Sequence, residues 1–136
     1  MDESVASLLR RSFDHVAAEV PESYRHLLRE LGPLTITIEV DGELFSIRGG
    51  TCLDVARGGD GSAGARVATS RAAIVGVLDD EVSLAEAVES DRVVIRGSFD
   101  DVVRAHDVLL AYVHAAVRAA SVPGLLTAWR RGMEAG

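Results

Sequence analysis

The stretch Leu34-Thr35-Ile36-Thr37-Ile38-Glu39-Val40-Asp41-Gly42-Glu43-Leu44-Phe45-Ser46-Ile47-Arg48 decides the fold. Leu34, Ile36, Ile38 and Val40 alternate with Thr35, Thr37 and Glu39, the period of two that marks a strand with one buried face. Asp41-Gly42 then signals a two-residue hairpin turn, because glycine accepts the positive φ that a type I′ turn demands. The register follows by arithmetic. Val40 opposes Glu43, Ile38 opposes Phe45, and Ile36 opposes Ile47, so the apolar positions of both strands share one face. A slip of one residue would turn Phe45 and Ile47 to the other side.

Before the hairpin the period is helical. Val5, Leu8, Leu9, Val16 and Val20 recur at three-to-four spacing after Ser4, a helix-capping residue type. Pro21 breaks that helix and suits the first position of a second one carrying Tyr24, Leu27, Leu28 and Leu31, which Gly32-Pro33 stops. After the hairpin, residues 51–57 read as a third strand, 58–64 as a flexible glycine-rich hairpin loop and 65–69 as a fourth strand. Ser70 caps a helix with Ile74, Val75 and Leu78, and Ser83-Leu84-Ala85-Glu86 is a capping box. Residues 92–96 make a fifth strand. Ser98 caps the longest helix, about 22 residues and roughly 33 Å.

On that long helix Phe99, Val102, Val103, His106, Leu109, Leu110, Val113 and Val117 read as the inner stripe. Asp100, Arg104, Asp107, His114 and Arg118 read as the outer one. Leu125, Leu126 and Trp129 begin a short apolar tail. Strands grouped apart from helices indicate an α+β fold, a five-stranded, largely antiparallel sheet with helices packed on one face. The chain reads as one domain over 1–136, with a helical extension at 1–33, a core at 34–120 and a lid or tail at 121–136.

Composition narrows the function. The 136 residues are 48% apolar but only 4% aromatic, so one core is filled mainly by Ala, Val and Leu. Fourteen basic against twenty-one acidic residues leave a net charge of −7. No basic cluster exceeds the pairs Arg10-Arg11 and Arg130-Arg131, which disfavours nucleic-acid binding and docking on anionic lipid. Every basic residue is Arg, and Lys, Asn and Gln are absent, a bias that suggests a GC-rich bacterial genome. The single Cys52 fits a reducing compartment. No apolar run reaches the length of a membrane span, and none of signal-peptide type opens the chain, so a cytoplasmic location is expected.

The chemical motifs are sparse. Gly59-Asp60-Gly61-Ser62-Ala63-Gly64 matches the glycine spacing of dinucleotide-binding loops, but no repeated βαβ unit follows. Four histidines, His15, His26, His106 and His114, lack metal-ligand spacing. His106 falls within the apolar stripe. It reads first as a buried histidine satisfied by a backbone carbonyl, and second as a polar anchor for the head of a bound amphiphile. Asp79-Asp80-Glu81 reads as a solvated turn, and no GxSxG elbow occurs. No catalytic residue, metal or cofactor is assigned.

Three segments together resemble the second half of sterol carrier protein type-2 domains: Ser70-Arg71-Ala72-Ala73-Ile74-Val75-Gly76-Val77-Leu78, Ser83-Leu84-Ala85-Glu86-Ala87-Val88, and Val93-Val94-Ile95-Arg96-Gly97-Ser98. The strand run 34–57 agrees in order with that family's opening meander, and the resemblance spans about 34–120. Departures are the N-terminal helical pair and Asp79-Asp80-Glu81, where the family often has glycine. The resemblance implies an apolar tunnel between sheet and helices that holds lipid, with no catalytic residues. On this chain its walls fall to Ile36, Ile38, Phe45, Ile47, Ile74, Leu78, Phe99, Val102, Val103, His106, Leu110, Val113, Leu125 and Trp129. The expected function is non-catalytic binding of a long apolar ligand such as a fatty acyl or isoprenoid lipid. Sterol itself does not follow, since bacteria mostly lack it. The alternative is an accessory protein with a collapsed tunnel that binds a partner or a second copy through the N-terminal helices. A dry void of ~300 Å³ would cost about 7 kcal/mol, so a tunnel must be filled, wet or collapsed.

Overall fold

The computed structural model describes residues 4–134, and for Pro123 and 131–134 the backbone alone. The elements run α1 (Val5–Glu19), α2 (Pro21–Leu31), β1 (Ile36–Val40), β2 (Glu43–Arg48), β3 (Asp54–Arg57), β4 (Ala65–Thr69), α3 (Arg71–Leu78), α4 (Leu84–Glu89), β5 (Val94–Gly97), α5 (Phe99–Arg118) and α6 (Val122–Glu134). The hairpin has the register that alternation dictates: Ile36 faces Ile47, Ile38 faces Phe45, and Val40 faces Glu43. Asp41 and Gly42 both take positive φ, 50° and 89°, as a type I′ turn requires.

The sheet order is β3-β2-β1-β4-β5. Three neighbouring pairs are antiparallel and β1–β4 is parallel, so the sheet is mixed but mostly antiparallel. This order corrects the reading of 58–64 as a hairpin loop. The ends of β3 and β4 stand three inter-strand steps apart, about 14 Å. The connection therefore crosses the face of β2 and β1 that the helices leave bare. Seven extended residues reach roughly 24 Å, enough for the crossing. The crossing strap is hydrogen-bonded down its length. Gly58 N–H donates to the Leu44 carbonyl at 2.9 Å, Ser46 Oγ to the Gly58 carbonyl at 2.9 Å, Asp60 N–H to Thr37 Oγ1 at 3.2 Å, and Gly64 N–H to the Thr35 carbonyl at 3.1 Å. Small residues serve where backbone lies on the sheet. At its end, a Cβ on Gly97 would sit 2.6 Å from the Gly64 carbonyl oxygen, so the close approach of β5 and the strap demands glycine there.

Local chemistry sets the helix ends. Ser4, Ser70, Ser83 and Ser98 each accept, at Oγ, the N–H three residues on. Pro21 opens α2. Asp80, with φ of 60°, closes α3 in the left-handed turn usually given to glycine, and Glu81 N–H reaches back to the Gly76 carbonyl at 2.8 Å. That capping role accounts for Asp79-Asp80-Glu81.

The helices cover one face of the sheet. α1 packs on β3 and α6, α2 on α1 and α5, α5 on β4 and β5, and α6 on α3. The N-terminal pair is thereby built into the interior: Leu8, Val16, Leu27 and Leu31 are all fully buried. The apolar tail is longer than its pattern suggests, the thirteen-residue α6, with Leu125, Leu126 and Trp129 buried. The largest correction is the phase of α5. Its interior residues are Ala105, Val108, Ala111, Ala115 and Ala116, while Phe99 is 82% exposed, Val117 60% and Val103 43%. α5 is hemmed in by α2 and α1 as well as by the sheet, and only alanine lets helices come that close. Side-chain bulk, which sets the stripe in the sequence, is the wrong guide.

Candidate functional site

β1 and β2 send Ile36, Ile38, Val40, Phe45 and Ile47 up toward the helices. These large side chains do not mesh fully with what covers them. A cavity of about 110 Å³ remains between the sheet and α1, α3, α5 and α6. Its wall is almost wholly apolar. The sheet supplies those five residues, Val67 and Thr69. Val5, Leu9 and Phe13 come from α1, Ala73, Ile74, Val77 and Leu78 from α3, Val108, Leu109, Tyr112 and Val113 from α5, and Trp129 from α6. Ile74, Leu109 and Val113, where α3 meets α5, are only half-buried, as are Leu53 and Thr69 of the same wall.

Three polar side chains touch this wall. The Tyr112 hydroxyl lies 2.8 Å from Ser12 Oγ, which itself donates to the Leu9 carbonyl at 2.7 Å. The Tyr112 ring stands edge-on to Phe13, with centroids 5.6 Å apart. Although one edge of the residue approaches the surface, its hydroxyl is enclosed, and burial pushes its pKa up to about 12. Thr69 Oγ1 donates to the Arg92 carbonyl at 2.9 Å. The third, Trp129, is 1% exposed, and its indole Nε1–H has no partner.

The residues assigned to the tunnel divide. Ile36, Ile38, Phe45, Ile47, Ile74, Leu78, Val113 and Trp129 line this cavity. Phe99, Val102, Val103, His106 and Leu110 do not, because α5 turns that side away. Leu125 is buried in the α6 contact, outside the wall. His106 is neither a buried histidine nor an anchor in the cavity: its side chain is about one-third exposed, with Nδ1 3.8 Å from Asp107 Oδ1. The α1 residues Val5, Leu9 and Phe13 join the wall without having been expected there. Their helical stripe is visible in the sequence, but nothing in it tells an extension from a wall. Among the described residues no three His, Cys, Asp or Glu side chains gather as a metal site, and no helix is long and apolar enough to cross a membrane.

No protein-family model and no curated protein sequence matches the chain. Solved structures do. The solution structure of the sterol carrier protein domain 2 of Helicoverpa armigera superposes with a TM-score of 0.59 at 10% identity, over 84% of this chain and 95% of that one. Sterol Carrier Protein 2 from Yarrowia lipolytica, in its apo form, gives 0.55 at 11% identity, over 82% and 94%. The chain has the sterol carrier protein 2 fold. A structure described as a UbiJ-SCP2 ubiquinone synthesis protein shares that fold, with a TM-score of 0.51 and 19% identity over 71% of this chain and 84% of its own.

Proposed function

We propose that the protein binds an apolar small molecule, without changing it chemically, in the cavity between sheet and helices, and so acts as a lipid carrier or lipid-presenting protein. One observation carries this reading: a void of about 110 Å³ whose wall is almost wholly apolar. At ~24 cal/mol per Å³ such a void costs about 3 kcal/mol, a large share of a domain's stability, and a ligand that fills it recovers that loss. Proteins titled sterol carrier share the fold, which supports the reading. The void is smaller than the ~150 Å³ cavity known to admit benzene. A full acyl chain therefore enters by parting the α3–α5 seam at Ile74, Leu109 and Val113. The alternative, a partner bound through the N-terminal helices, has less to stand on, since their apolar residues are used inside the fold.

The chain has one tryptophan, Trp129, and it stands in the cavity wall. Its fluorescence therefore reports occupancy. In a titration with 1-alkanols of six to fourteen carbons, saturable binding is expected. Affinity should rise about fourfold per methylene, from ~0.8 kcal/mol each, until the space is full. No saturable change at any chain length overturns the proposal.

A further inference from the structure

We propose that α5 pairs antiparallel with α5 of a second copy of the chain, through an apolar row on its outer side. This inference does not depend on the binding role. The row is Phe99, Val103, His106, Leu110, Val113 and Val117, spaced four, three, four, three and four residues apart. That spacing builds one straight stripe, about 27 Å long. Phe99 and Val117 each stand nine residues, two and a half turns, from the buried Val108, and so lie on the opposite side of the helix. Four large apolar side chains are exposed among the described residues, and three of them, Phe99, Val103 and Val117, belong to this row. Leu110 and Val113 are half-buried, and Val113 also reaches the cavity wall. Single exposed apolar residues need no account, but a continuous row of them marks a contact surface.

Two features name a second copy as what covers it. The first is that the row reads the same from either end, its intervals being symmetric about Val108. An interface between two identical surfaces needs that symmetry, since each contact occurs twice. Antiparallel pairing about an axis beside Val108 sets Phe99 of one copy against Val117 of the other, Val103 against Val113, and His106 against Leu110. The second feature is charge. Asp100 and Asp107 flank the row in the first half of α5, His114 and Arg118 in the second, all on one side at 100° per residue. Antiparallel helices bring Asp100 of one copy between His114 and Arg118 of the other, twice over. Parallel helices would set Asp100 against Asp100 and Arg118 against Arg118, which repel. Only Asp107, next to the axis, meets its own copy. His106 is the one polar member of the row, and a single polar position in a helical seam fixes register at some cost in affinity. A contact of one helix per copy is small, so the dimer is reversible.

Sedimentation equilibrium of the whole chain from about 10 μM to 1 mM tests the pairing. The wild-type mass is expected to rise with concentration from 14.4 kDa toward twice that value. Val103→Glu puts a carboxylate from each copy into the seam and should weaken association about tenfold or more. Val103 is exposed, so its circular dichroism should match the wild type. For direction, Phe99→Cys and Val117→Cys, each in a Cys52→Ser background, are mixed in equal amounts and oxidised. Cross-links from 99 to 117 should exceed those from 99 to 99 by well over the twofold of chance collision. A chain that is monomeric throughout overturns the proposal. So does a dimer that Val103→Glu leaves intact, or an excess of 99-to-99 cross-links. A monomer that pellets with phosphatidylcholine vesicles, and no longer does so as Val103→Glu, overturns it too and gives the row to a lipid surface.

Discussion

The buried residues of α5 are packed by opposite rules. Ala105, Ala115 and Ala116, each 0–1% exposed, stand outside the cavity wall, and the packing there is closed. Toward the sheet α5 presents Val108, Leu109, Tyr112 and Val113 against Ile36, Ile38, Phe45 and Ile47, and the contact is open by about 110 Å³. Small side chains close a contact because backbones approach until nothing is left between them. Bulky side chains on a twisted sheet hold the layers apart and fill the gap only where their shapes agree. A protein that must be firm and still leave room inside can use both rules on one helix.

That contrast is sharpest if the same atoms are added to both sides. Ala116→Leu, at a fully buried position outside the cavity wall, is expected to overpack the closed contact and cost about 3 kcal/mol in denaturant unfolding. High pH should cost slightly less. Tyr112, in the wall, stays protonated in the fold to about pH 12 while an unfolded tyrosine ionises near 10. The unfolded state therefore loses its proton first. Stability falls by about 2–3 kcal/mol as pH rises from 10 to 12, and is unaffected by this group below pH 9. A tyrosinate absorbance titration should show Tyr112 ionising only at about pH 12. Ala73→Leu adds its isobutyl group to the open side. It is expected to raise stability by about 1 kcal/mol without ligand and to abolish alkanol binding. Equal signs for Ala116→Leu and Ala73→Leu would break the comparison. On the outer side, Phe99→Ser should change stability by less than about 0.5 kcal/mol, since Phe99 is 82% exposed.

What is legible in the sequence is what obeys local rules. The hairpin register from 36 to 47 follows from period-two alternation and Asp41-Gly42, and the four serine caps follow from their positions before helical stripes. Features that depend on distant neighbours are not legible. The strap at 58–64 reads as a hairpin because glycine spacing says that the chain bends, not which strands it joins. The phase of α5 is misread because alanine carries almost no signal until the helix beside it is known. The hairpin half of the cavity wall is readable from alternation alone. The α1 part is not, since Val5, Leu9 and Phe13 show an apolar face but not what it faces.

Native mass spectrometry of protein purified under non-denaturing conditions tests the central claim most directly. A ligand-holding cavity predicts a fraction carrying the added mass of an apolar small molecule, lost on solvent extraction and regained on incubation with a lipid extract. A single bare mass before and after that incubation would contradict it.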